Sequence, residues 1–165
     1  MAQSFDEAVR AYTSEKENQA RLMAEIKTEY EGLKSRVSRL AADRKGIPNG
    51  PTFEWCQTIT GRPMLALGNV AAVFEAPTIF NSVSQNNPIS IRFSRKPAGS
   101  GQEYAHPSSP LAEIEWDLQP QIFNGAFVWT VPNKGEGRFS AETLTDEIAK
   151  QLAQHHIEYE AAYGR

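Results

Sequence analysis

The chain is 165 residues long, carries a net charge of −3, and is 40% hydrophobic and 22% charged. That is the size of one domain with a core of its own, and it is too apolar and too weakly charged for a disordered chain. The acidic balance disfavours a general affinity for nucleic acid or anionic membrane.

The single cysteine, Cys56, leaves no internal disulfide to form and fits a reducing compartment. No apolar run approaches the ~20 residues that a membrane-spanning helix needs. Met1 is followed by Ala2-Gln3-Ser4-Phe5-Asp6-Glu7, which has neither a basic nor an apolar leader region. These features lead us to expect one domain over 1–165, cytoplasmic and without membrane contact.

The first predicted element is a long amphipathic helix over 4–45. Ser4 to Glu7 has the form of a capping box, in which the serine oxygen and the glutamate each satisfy an orphan amide. Apolar residues then recur at alternating three- and four-residue steps: Phe5, Val9, Tyr12, and again Met23, Ile26, Tyr30, Leu33, Val37 and Leu40. This is a heptad pattern, with Lys16 and Gln19 occupying the core positions between the two runs. Gly46 and the Pro48-Asn49-Gly50-Pro51 turn end the helix.

The region 52–131 reads as an antiparallel sheet. Phe53 to Ile59 alternates, with Phe53, Trp55 and Ile59 on one face. Met64 to Leu67 and Val70 to Phe74 flank the turn Gly68-Asn69, a further run covers Thr78 to Val83, and Ile89 to Ser94 alternates again. A Gly/Pro/Ser-rich loop covers Lys96 to Pro110. Leu111 to Leu118 then puts Ala112, Ile114, Trp116 and Leu118 on one face and Glu113, Glu115 and Asp117 on the other. Asn124-Gly125 is the strongest hairpin turn in the chain, and Pro120 limits the pairing of the strand before it.

The final helix spans 140–163. Ser140 is its N-cap, Phe139 and Leu144 stand at staple spacing, and Leu144, Ile148, Leu152, one of the two histidines, Tyr159 and Tyr163 form its apolar stripe. The fold class is therefore α+β, an antiparallel sheet of five to seven strands packed with a long N-terminal helix and a C-terminal helix.

No set of residues assembles a catalytic or metal-binding motif. His155 and His156 point ~100° apart on a helix, so one is expected to face the core and the other water, and zinc needs three or four placed ligands. Glu113, Glu115 and Asp117 are explained as the solvent face of a half-buried strand, with Arg92 as the natural cross-strand partner. Cys56 has no histidine near it in sequence. The cations Lys34, Arg36, Arg39, Arg44 and Lys45 suit the end of a helix dipole and have no aromatic platform beside them. Neither a metal nor a cofactor is expected.

What remains is the heptad stripe. A helix of ~40 residues is ~60 Å long, whereas the remaining chain folds to a body some 35 Å across. Part of the stripe must project or fold back. The leading expectation is a non-enzymatic interaction or scaffold module that forms a homo-oligomer or binds a protein partner through Met23, Ile26, Tyr30, Leu33, Val37 and Leu40. The alternative is a small-ligand-binding domain or enzyme with a pocket between sheet and helices near loop 96–110.

Overall fold

The computed structural model describes residues 4–43, 47–77, 88–96, 113–134 and 137–163. Helix α1 runs from Phe5 to Asp43 without interruption. Its capping box is formed as expected: the Ser4 amide donates to Glu7 Oε2 (3.4 Å) and the Glu7 amide donates to Ser4 Oγ (3.2 Å). Beyond it, Asn49 adopts a left-handed conformation (φ 60°) and the Gly50 amide donates to the Ile47 carbonyl, which turns the chain towards the sheet.

Among the described residues, seven strands follow in strict sequence order: β1 (Phe53–Gln57), β2 (Pro63–Leu67), β3 (Val70–Glu75), β4 (Ile89–Arg95), β5 (Ile114–Phe123), β6 (Ala126–Thr130) and β7 (Arg138–Phe139). Every neighbouring pair is antiparallel. A short 3-10 turn at Pro132–Lys134 precedes β7, and helix α2 spans Ala141–Tyr163. The chain is α+β. The Thr78 to Val83 run, His106 and nearly all of the 96–110 loop lie outside the described residues, as does the Tyr163 side chain.

The turns follow local chemistry. Asn124 (φ 51°) and Gly125 (φ 79°) are both left-handed, which is the conformation a two-residue hairpin of this sequence requires. Gly68 supplies the single left-handed residue between β2 and β3. β1 stops at Gln57, two residues short of the expected strand end, because the Thr58 amide donates to the Arg62 carbonyl and closes a turn through Gly61 (φ 85°). Ile59 sits on that turn and is exposed, not aligned with Phe53 and Trp55.

β5 changes partner along its length. Ile114–Leu118 pairs with β4, and Gln119–Phe123 pairs with β6. Pro120 falls in the second half, where the β4 ladder has already ended, so its missing amide costs no β4 bond. The strand runs straight through the proline that the sequence suggested would limit it.

Both helices cover one face of the sheet. Leu65, Leu67, Ala72, Phe74, Ile89, Ile91, Phe93, Trp116 and Leu118 face Ile26, Leu33, Val37, Leu144, Ile148 and Leu152 in one continuous core. Edge-to-face contacts of Phe93 with Trp116 and of Phe127 with Trp129 stiffen it. The α2 cap and stripe form as expected, with the Thr143 amide donating to Ser140 Oγ and Leu144, Ile148 and Leu152 fully buried.

The opposite face is only partly covered: Glu115 is exposed on it and Arg92 and Asp117 are half-buried. Met64, Ala66, Ala71 and Val73 form a second buried cluster with Cys56 beside it, and Ser90 and Ser94 are buried too. Further along, Glu75 takes Arg62 at 3.1 Å and Arg92 at 3.9 Å. Arg92 stands opposite Glu115 in the register, as the alternation implies.

Candidate interaction surface

The stripe on α1 is treated differently along its length. Ile26, Tyr30, Leu33, Val37 and Leu40 are 0–8% exposed and sit in the core described above. Met23 is 57% exposed. Five of the six residues expected to meet a partner are thus occupied by the chain's own fold, because the sheet and α2 reach as far along the helix as Ile26.

Every residue from Ser4 to Arg21 is exposed. Within this projecting part, Phe5 is 80% exposed, Val9 45% and Tyr12 62%. With Met23 they lie on the same three-four spacing as the buried residues. At 1.5 Å per residue, the segment from Phe5 to Glu25 extends roughly 30 Å. The rest of its circumference is mostly polar or small, with Arg21 paired to Glu25 at 3.0 Å, and within the stripe Lys16 Nζ lies 5.5 Å from the Tyr12 ring centroid.

Cys56 is half-buried beside the small second cluster, and burial pushes its thiol up, away from the reactive thiolate. Among the described residues, no three metal-ligating side chains converge. Both α2 histidines, His155 and His156, are buried, contrary to the expectation that one would face water. α2 packs against α1 on one side and the sheet on another, so its buried arc is wide enough to take adjacent residues.

His155 is fully buried with no hydrogen bond to either ring nitrogen, and Glu158 Oε2 stands 4.0 Å from its Nδ1. Burial holds its pKa below the usual histidine value, and Glu158 opposes the shift. His156 leans on the β2–β3 turn, with Nε2 3.7 Å from Glu160.

A groove of about 400 Å³ runs between α1 and the β1–β2 edge, lined by Lys34, Ser38, Trp55 and Gln57. It continues past Tyr30 towards Arg62 and Glu75. Its cations are already engaged: Lys34 with Glu31 at 3.1 Å and over the Tyr30 ring, Arg62 with Glu75. Burial and the carboxylates of Glu31 and Glu75 push the Tyr30 phenol up, so it stays protonated. The groove is open, polar and internally neutralised, unlike the enclosed apolar pocket of a small-molecule site.

Among the described residues, no helix is long and apolar enough to cross a membrane. No family model, curated protein or solved structure matches the chain.

Proposed function

We propose that this chain is a non-enzymatic protein-interaction module whose contact surface is the projecting first half of α1. The observation that carries the reading is the exposure of Phe5, Val9, Tyr12 and Met23 on one stripe of a helix that continues directly into the core. Scattered apolar side chains need no explanation, but a stripe held in register over roughly 30 Å does. Water-facing aromatics at this density are what helix-in-groove and helix-pair recognition use as anchors.

The reading moves the contact residues towards the N-terminus. Met23 stays within the surface, Phe5, Val9 and Tyr12 join it, and Ile26 to Leu40 serve to fix the helix to the sheet. A rigid anchor of this kind lowers the entropy lost when the projecting part binds.

Site-directed photocrosslinking in cells tests the proposal. A photoreactive phenylalanine analogue at Tyr12 is expected to give a discrete covalent protein adduct, and the same analogue at Ser14, on the far side of the helix, is expected to give none. Equal labelling at both positions, or none at Tyr12, rejects the surface.

A further inference from the structure

Resting on that interaction reading, we infer that the partner is a second copy of this chain, lying antiparallel across a two-fold axis level with Ser14. Residues 5–23 of one α1 then pair with 23–5 of the other.

The fold itself selects the direction. From Ile26 onward the stripe is covered by the chain's own sheet and α2. A heptad repeat drifts only ~20° per heptad around a straight helix. The middle of the exposed part and the middle of the buried part are under three heptads apart, a drift of roughly 55°. The sheet therefore sits on the same half of the helix as the exposed stripe. A parallel partner, continuing past Met23, would enter space the sheet already holds and would bring its own sheet into the same place. An antiparallel partner has reached its own Phe5 at that height, and its sheet begins beyond the N-terminal end of the first helix.

The spacing then fixes the register. With the axis at Ser14, Phe5 packs on the partner's Met23, Val9 on the partner's Gln19 and Tyr12 on the partner's Lys16, each pairing occurring twice. Of the two polar residues of the seam, Lys16 lands opposite a side chain that suits it. A parallel pairing stacks Lys16 on Lys16. The antiparallel one puts each ammonium level with the partner's Tyr12 ring, a cation–π arrangement. Lys16 is already 5.5 Å from the Tyr12 ring of its own chain. It also lies three residues, roughly 4.5 Å of rise, from the partner's Glu15. The Gln19–Val9 layers weaken the seam while penalising other registers.

The area agrees with a modest dimer. A covered Phe or Tyr removes 150–250 Å² from water, so Phe5 and Tyr12 at their observed exposure contribute roughly 400–700 Å² over two copies. Val9, Met23 and the flanking methylenes bring the total to on the order of 1,000 Å², the lower bound for a specific interface. An interface of that size is expected to be weak and concentration-dependent.

Single-cysteine crosslinking of the full chain in a Cys56→Ser background tests direction and register together. Glu15→Cys and Thr13→Cys each place a cysteine two residues, roughly 3 Å of rise, from its own copy across the antiparallel seam, whereas Gln19→Cys stands level with its own copy only in a parallel pair. Treatment with a short bismaleimide is expected to yield covalent dimer from Glu15→Cys and Thr13→Cys and monomer from Gln19→Cys. All three positions are exposed, so folding is not at stake. Dimer from Gln19→Cys alone overturns the antiparallel pairing while leaving the interaction surface standing. A wild-type chain that sediments as a monomer at several hundred micromolar overturns the second copy as partner. A Tyr12 photoadduct with a different protein would then show that the surface itself survives.

Discussion

His156 rests against the turn that joins β2 to β3: its Cε1 lies 3.5 Å from where a side-chain carbon on Gly68 would stand, and Pro51 closes the other side at 3.2 Å. The contact ties the chain leaving α1, the hairpin and α2 into one joint. Gly68 is also left-handed, with φ +63°. Gly68→Ala therefore meets both backbone strain and a crowded neighbour, and should cost roughly 2–3 kcal/mol. Gly61→Ala shares the strain (φ +85°) but has open space around it, and should cost about 1 kcal/mol. Denaturant unfolding of the two variants should rank them in that order, and equal losses would remove the packing argument.

The pH dependence of stability should carry the signature of His155. Its folded pKa is depressed by burial, so the folded state binds the proton less readily than the unfolded chain. The sign follows from linkage: this contribution is complete above the unfolded value near 6.5 and is lost as pH falls from there towards the folded value. Unfolding free energy should decline between pH 8 and 5, and His155→Gln should flatten that decline. An unchanged slope in the variant would assign the acid sensitivity to other groups.

The two halves of the α1 stripe should respond oppositely to charge. Ile26→Asp or Leu33→Asp buries an unpaired carboxylate at a site 3% or 0% exposed and should unfold the chain or cost several kcal/mol. Phe5→Asp with Tyr12→Asp should leave the melting curve of the monomer within about 0.5 kcal/mol of wild type and abolish association. Sedimentation and circular dichroism on both pairs separate the outcomes. Loss of fold in the N-terminal pair would mean that this part of the helix supports the core.

On α2, Ile148→Ala and Leu152→Ala each remove fully buried atoms from the layer between helix and sheet. Losses of roughly 2–5 kcal/mol are expected for each. Values under 1 kcal/mol at both positions would show that α2 can shift to fill the space.

The sequence spoke plainly wherever a residue's role is decided within a turn or two. The Ser4–Glu7 box, the Ser140 cap and the Asn124-Gly125 hairpin are local chemistry, and all three are formed. It was silent where the answer depends on how far another element reaches. Met23 and Ile26 occupy equivalent places in one heptad pattern, yet one is 57% exposed and the other 3%. Nothing in their spacing tells them apart, because the boundary is drawn by the width of the sheet. The expectation that one of His155 and His156 would face water fails for the same reason: a single helix face cannot reveal that α2 has neighbours on two sides. The strand end at Gln57 was missed through the Thr58–Arg62 turn, whose signal, Gly61, lies past the apolar Ile59 that appeared to extend the alternation.

The first and last elements of the chain touch one another: α1 packs against α2 as well as against the sheet. At a synthesis rate of 5–20 residues per second, roughly 6–24 s separate the appearance of Leu40 from that of Tyr159. Throughout that interval the whole stripe, from Phe5 to Leu40, has no completed core to lie on. An uncovered apolar stripe can pair early with another apolar helix, a second nascent copy included. The sheet must then take back the Ile26–Leu40 half from any such early pairing as it forms. The order in which the elements are made therefore sets two folding partners in competition for one helix.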